Sequence, residues 1–172
     1  MLQIFNVCKA MFKYRGWKCE QDTSKWEMIM DVYDTENNLV KLLFIDNVKI
    51  TLNFIKDYLN YLETNNIYHS IIIHKYDFTS GCLNIIKKIK VRIYIELFSY
   101  LFMRHDIMTH RLVPKHEKID KDEYNWVSNK YGTHLPILLL TDPVVRFLNF
   151  KENDIIKIYR PTSITYRIVK SD

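Results

Sequence analysis

The chain has 172 residues, 48% hydrophobic and 26% charged, with a formal net charge of +5 and a pI near 9.0. That is enough for one medium domain or two small ones, with the composition of an ordinary folded protein, and no apolar run approaches the roughly 20 residues that span a bilayer. The mild positive charge is spread over both halves, which argues against a dedicated nucleic-acid arm.

The N-terminus, MLQIFNVCKAMFKYR, is amphipathic and lacks the uninterrupted apolar core of a signal peptide. Its apolar residues Ile4, Val7, Cys8, Met11 and Phe12 form a helical stripe over Leu2 to Tyr14, and Gly16 stops it. Trp26 to Tyr33 and Leu39 to Ile45 read as strands joined at Thr35–Asn38, where Asn tolerates positive φ. Thr51 to Leu62 puts Leu52, Ile55, Tyr58, Leu59 and Leu62 on one helical face. Ile71–Ile73 is a short apolar run of the kind buried on both faces of a sheet. A helix from Ser80 to Lys88 and a strand from Val91 to Ile95 follow. The order predicts a mixed α/β module over residues 1–104.

All four prolines, Pro114, Pro136, Pro143 and Pro161, lie after that module, which places a change of domain near Arg104 to His110. The predicted second domain, 105–172, is a small α+β unit. Leu112–Val113 reads as a short strand ended by Pro114. Asp120 can cap a helix, with Glu123 completing a capping box, and Gly132 ends it. Asp142–Pro143 opens a second helix, because Asp at the cap accepts from free N–H groups and Pro at the first helical position loses no hydrogen bond. Ile155–Tyr159 and Thr165–Val169 read as two strands joined by a tight turn at Pro161–Thr162–Ser163. The whole is predicted as α+β.

The second domain carries an ordered series of signals: HRLVPKH (His110 to His116), LP (Leu135, Pro136), TDPVVRFL (Thr141 to Leu148), KENDIIKIYRP (Lys151 to Pro161) and TYRIV (Thr165 to Val169). In that order and spacing it resembles the C-terminal assembly domain of the fifth-largest subunit shared by eukaryotic nuclear RNA polymerases. The same domain stands alone as a small subunit of archaeal RNA polymerases. Upstream, MFKYRGW (Met11 to Trp17), IIIHKYDFTSG (Ile71 to Gly81) and VRIYIELF (Val91 to Phe98) resemble successive parts of the eukaryotic subunit's N-terminal jaw domain.

The resemblance implies a non-catalytic subunit of a multisubunit DNA-directed RNA polymerase. The assembly domain would dock on the largest subunit, and the jaw domain, with a restriction-nuclease-like topology, would lie beside downstream duplex DNA and touch it through phosphates. It implies no cofactor, no metal, no membrane partner and no small-molecule substrate, and an intracellular setting: a nucleus, or cytoplasm or virion for a viral homologue. The matching positions carried over as subunit-binding are His110, Leu112, Val113, Pro114, Lys115, His116, Pro136, Asp142, Pro143, Arg146, Lys157, Arg160, Tyr166 and Arg167. For the apolar members, folding of the domain itself is the plainer role; for Asp142 it is helix capping. Three departures stand out: Asn153 where the family has a turn Gly, Ile137 where it has an Arg after LP, and a hairpin shortened to Thr162–Ser163. With the reduced length they point to a divergent homologue, of the kind a virus or plasmid with its own polymerase would carry.

Other chemistry has few candidate residues. Lys87, Lys88, Lys90 and Arg92 form the densest basic stretch, readable as a solvated face or as a DNA-proximal, phosphate-facing patch. Tyr58, Tyr61, Tyr68 and Tyr76 interleave with Lys56 and Lys75, a pattern that serves single-stranded nucleic acid but that helix and strand packing explain as well for the first three. His69 and His74, five apart on a strand, face opposite sides, and no Cys stands at ligand spacing from any His. The three cysteines are scattered and suit a reducing compartment; Cys82 reads as a buried, inert thiol. A nuclease of the restriction type needs an Asp and a second acid before a Lys on the adjoining strand. Leu39–Val40–Lys41 has an apolar residue in the acid's place, and Asp31 and Asp34, expected on the first strand, have no acid opposite. A free-standing nucleic-acid-binding regulator that borrowed the assembly domain is the second hypothesis, and an active nuclease the third.

Overall fold

The computed structural model describes residues 2–19, 29–46, 50–89, 91–132 and 134–171. The chain divides into two compact units, Met1–His105 and Asp106–Asp172. Among the described residues no helix is long and apolar enough to cross a membrane.

The first unit is built on a four-stranded sheet, β1 (Ile29–Tyr33), β2 (Leu39–Ile45), β3 (His69–His74) and β4 (Tyr94–Ser99), in that spatial order. β1 and β2 form the predicted hairpin. Its turn has Asn37 at φ 65°, and the Asp34 carboxylate accepts from the backbone N–H of Glu36 and Asn38 at 2.9 and 2.8 Å. Asp34 is thus a turn residue, one position beyond the strand on which it was expected. The part of the first predicted strand from Trp26 to Met28 lies outside the described residues. β2, β3 and β4 run parallel, so each connection must cross over, and α2 (Leu52–Thr64) and α3 (Ser80–Ile89) are those crossovers.

Both crossover helices pack on one face of the sheet, where Leu43, Ile45, Ile72 and Ile95 meet Ile55, Leu59, Leu62, Cys82 and Ile86. The buried Tyr58 hydroxyl shares a 2.7 Å hydrogen bond with Ser70 on the same face. Strand alternation turns Val40, Leu42, Phe44, Ile71, Ile73 and Phe98 to the other face, where they too are buried. Each such side chain contributes about 1.5–3 kcal/mol. α1 (Leu2–Arg15) serves this second face, with Ile4, Phe5, Val7, Cys8, Met11 and Phe12 buried along its stripe. Gly16 at φ +71° ends it as predicted.

The strand predicted at Val91–Ile95 begins three residues later. Arg92 and Ile93 both donate backbone N–H bonds to the Ile89 carbonyl, so they close the end of α3. Val91 is left 93% exposed.

The second unit is a sheet in the order β5-β7-β8-β6, made of β5 (Lys115–Lys118), β6 (Ile137–Leu139), β7 (Ile155–Arg160) and β8 (Ser163–Lys170). α4 (Lys121–Tyr131) packs on one face through Val127 with Ile155, Tyr166 and Ile168. α5 (Pro143–Leu148) packs on the other through Val145 with Ile156, Ile158 and Val169. β7 and β8 form a hairpin with Arg160 opposite Ser163, so the turn is the dipeptide Pro161–Thr162.

The caps follow the sequence reading. Asp120 accepts from Glu123 N–H at 2.8 Å, Asp142 from Val144 and Val145 N–H at 2.8 and 3.4 Å, and Gly132 ends α4 at φ +66°. Asn153 has φ 70°, the left-handed turn expected there. Leu112–Val113 is not a strand: Val113 N–H bonds back to the His110 carbonyl at 2.8 Å, and pairing starts at Lys115, after Pro114. β6, a three-residue strand parallel to β8, has no counterpart in the sequence reading.

Candidate subunit interface

Of the residues singled out in the C-terminal unit, those on β5, β7 and β8 divide between the two faces of the sheet. β7 and β8 alternate, so Ile156, Ile158, Thr165, Arg167 and Val169 face α5, while Ile155, Lys157, Tyr166 and Ile168 face α4. His116 lies opposite Ile158 and so on the α5 side, and Lys115 lies opposite Tyr159 on the α4 side.

On the α4 face the Glu123 carboxylate accepts from Lys157 Nζ and from the Tyr166 hydroxyl, each at 2.7 Å. These two donors hold Glu123 below the usual carboxylate range. Glu123 therefore ties α4 to β7 and β8, where a capping box would have sent it back to the helix start. Tyr166 also packs against Trp126 and Tyr131, with ring centroids 6.0 and 5.9 Å away. Lys130 Nζ sits 4.5 Å from the Trp126 ring centre. Beside this cluster the Tyr159 hydroxyl donates to Glu117 at 2.6 Å, and Glu117 also pairs with Lys115. Glu117, Glu123, Trp126, Tyr131 and Tyr159 were not read as site residues. Their partners lie across strands and are legible only once the register is known.

On the α5 face, His116, Ile158 and Thr165 stand in one row across β5, β7 and β8. Burial pushes the His116 imidazole below its usual pKa; Pro114 carbonyl and Asp142 pull it up, and Arg160 and Arg167 push it down. The four side chains thus share one field. The Thr165 hydroxyl is the one buried side-chain polar atom among the described residues without a hydrogen-bond partner. Arg167 extends to the edge of the sheet, with Nη1 3.4 Å from the Ile137 carbonyl.

Of the remaining predicted members, His110, Leu112, Pro136, Pro143 and Arg160 are exposed, and Val113, Pro114 and Arg146 are half-buried. His110 Nδ1 accepts from Leu112 N–H at 3.3 Å.

The first unit offers less. Lys87 and Lys88 are exposed in the last turn of α3. Arg92 reaches toward Glu63 at 3.9 Å, and Lys90 lies outside the described residues. Tyr58 is core, whereas Tyr61, Tyr68 and Tyr76 are exposed, so packing does not account for Tyr68. The register sets Lys41 opposite Asp31, and the two form an ion pair; no second carboxylate among the described residues joins them there. Among the described residues no three His, Cys, Asp or Glu side chains converge on a point where a metal could bind. Cys82 is buried.

The sheet thus carries Arg160 exposed at the end of β7, Arg167 half-buried at its margin and aromatic side chains over its α4 face. Comparison with known sequences gives the class: accessory subunits of DNA-directed RNA polymerases. The family described as RNA polymerase Rpb5, C-terminal domain, matches residues 105–169. DNA-directed RNA polymerase subunit Rpo5 of Methanothermobacter thermautotrophicus is 37% identical over 76 residues, 40% of this chain and 99% of that protein. The chain belongs to the Rpb5 family of RNA polymerase subunits, which are accessory and not catalytic. The eukaryotic members extend the match upstream. DNA-directed RNA polymerases I, II, and III subunit rpabc1 of Dictyostelium discoideum is 26% identical over 145 residues, 78% of this chain and 74% of that protein. The Caenorhabditis elegans RPABC1 subunit is 26% identical over 136 residues, 74% and 64% of the respective chains. The chain thus spans about two thirds to three quarters of these longer relatives.

Proposed function

We propose that this chain works as a non-catalytic part of a multisubunit DNA-directed RNA polymerase. The C-terminal unit docks on the largest subunit, using the charged members and histidines of the predicted set: His110, Lys115, His116, Arg146, Lys157, Arg160 and Arg167. Leu112, Val113, Pro114, Pro136, Asp142, Pro143 and Tyr166 shape the surface that carries them. The N-terminal unit, of restriction-nuclease-like topology without that class's carboxylates, forms part of a lower jaw near downstream duplex DNA. Its contacts there go to phosphates, through Lys87, Lys88, Lys90 and Arg92, and are salt-dependent and blind to sequence. The protein acts wherever that polymerase acts, in a nucleus, or in cytoplasm or a virion if the polymerase is viral.

The observations that carry this reading are that the Rpb5 C-terminal domain family matches residues 105–169 and that the Methanothermobacter polymerase subunit aligns over 99% of its length with 40% of the chain. Affinity purification of the tagged full chain from its native source, followed by mass spectrometry, tests it. The expected result is recovery of the two large polymerase subunits in near-equal amounts. Recovery of the chain alone, in salt that keeps other polymerases intact, would refute it and bring a free-standing DNA-binding role forward.

A further inference from the structure

The two edges of the C-terminal sheet differ in chemistry. β5 is bordered by charge: Lys115 and Glu117 pair with each other, and Lys118 pairs with Asp154 at 2.7 Å. Lysines and ion pairs of this kind deter pairing with a further strand. β6 reads Ile-Leu-Leu, with no charge, and its Ile137 and Leu139 are 56% and 43% exposed.

The hydrogen bonding of β6 is half used. Ile168 N–H donates to the Pro136 carbonyl and Leu140 N–H donates to the Lys170 carbonyl. In a parallel ladder this phase turns the backbone groups of Leu138 toward β8 and those of Ile137 and Leu139 away from it. The Leu139 carbonyl accepts from Asp142 N–H at 3.0 Å, and the Ile137 carbonyl faces Arg167. The N–H groups of Ile137 and Leu139 point outward with no partner among the described residues. Along the α4 side of this edge runs a groove of about 590 Å³ lined by Tyr124, Leu135, Pro136, Ile137 and Ile168.

We propose that β6 is a docking edge at which an extended segment of a larger polymerase subunit adds a fifth strand. This names the partner chemistry of the assembly surface and rests on the polymerase reading above. Two outward main-chain donors call for an extended backbone, since only its carbonyls recur at strand spacing. Alternation fixes the side chains. Residues of the incoming strand that face α4 are apolar and enter the groove over Ile137. The residues between them face the Arg167 guanidinium, and an acidic one there accepts a forked, charge-assisted pair.

Leu139→Pro tests the edge with little disturbance, because it deletes a donor that bonds nothing within the unit and proline is tolerated on edge strands. Thermal unfolding of the purified variant should match the parent chain. Exchanged for the parent in the co-purification above, it should bind the large subunits about tenfold more weakly, as losing one main-chain hydrogen bond predicts. Amide exchange supplies the second readout. Ile137 and Leu139 N–H should exchange more slowly in the purified polymerase than in the free full chain, with Lys115–Lys118 unchanged. If the parent co-purifies, Leu139→Pro co-purifies equally and the two amides exchange alike, the docking edge is wrong and the polymerase reading stands. If the parent recovers no polymerase, both fall. If sedimentation shows the free chain to be a dimer that Leu139→Pro dissociates, the edge pairs with a second copy and the proposed occupant is wrong.

Discussion

Arg15 and Glu96, 81 residues apart in the chain, meet through two parallel hydrogen bonds of 2.8 and 2.7 Å, almost wholly out of water. Arg15 ends α1, and Glu96 sits in β4 on the face opposite α2 and α3. His69, on the neighbouring strand β3, adds a bond to Glu96 at 2.9 Å. Arg15 also lies 4.7 Å from the Trp17 ring centre. The pair fixes where the first helix ends on the sheet.

Burial alone would raise the Glu96 carboxyl, but Arg15, with His69, overrides it and holds the group well below its usual range. A carboxylate depressed in the folded state stabilises fully above its ordinary value of 4.5 and loses that contribution as pH falls toward about 2. Glu96→Gln leaves the Arg15 charge buried and uncompensated, and should cost about 3–5 kcal/mol at neutral pH. The parent should lose stability between those pH values more steeply than the variant, as measured by urea unfolding at a series of pH values. Parallel curves would refute the role given to the pair.

Asp142→Ala removes both cap hydrogen bonds of α5 and should destabilise the C-terminal unit by about 1 kcal/mol. Unfolding of the full chain followed by a probe in that unit measures it. An unchanged midpoint would mean that α5 does not depend on its cap.

Asn153 holds φ 70°, which a β-carbon makes costly for most residues and glycine adopts freely. Its side-chain oxygen accepts from Lys170 in an exposed bond, a small loss on substitution. Asn153→Gly should therefore be neutral or mildly stabilising, and Asn153→Val should cost about 1–2 kcal/mol. A clear loss with glycine, in the same unfolding measurement, would refute the turn assignment.

Local features carried much of the architecture into view from sequence. The stripe of α1, the hairpin turn at Asn37, the caps at Asp120 and Asp142 and the left-handed Asn153 are all decided by neighbours a few residues apart. The misses share the opposite property. β6 has three residues and no alternation to display, and exists because β8 offers it a partner. Val91–Ile93 has the β-branched content of a strand, yet the Ile89 carbonyl claims the N–H groups of Arg92 and Ile93. Leu112–Val113 reads as extended and is instead turned back on His110. Glu96 reads as an ordinary polar residue in a strand; its importance comes from Arg15, which only the fold brings near. The residues proposed as subunit-binding were singled out by their family pattern alone, and the division of those on β5, β7 and β8 between the α4 and α5 faces came only with the register.

β8, the most C-terminal strand described, is an inner strand of its sheet, with β7 on one side and β6 on the other. During synthesis the C-terminal unit therefore cannot close when β5, α4, β6 and α5 have left the ribosome. Its two apolar layers stay unjoined until about residue 170 has emerged. A premature stop just before Ser163 would strip β6 of the strand it pairs with and uncover Ile156 and Ile158. Such a product would behave as a sticky fragment destined for proteolysis. Quality control is thereby written into strand order, since the closed four-stranded sheet exists only in chains read through β8.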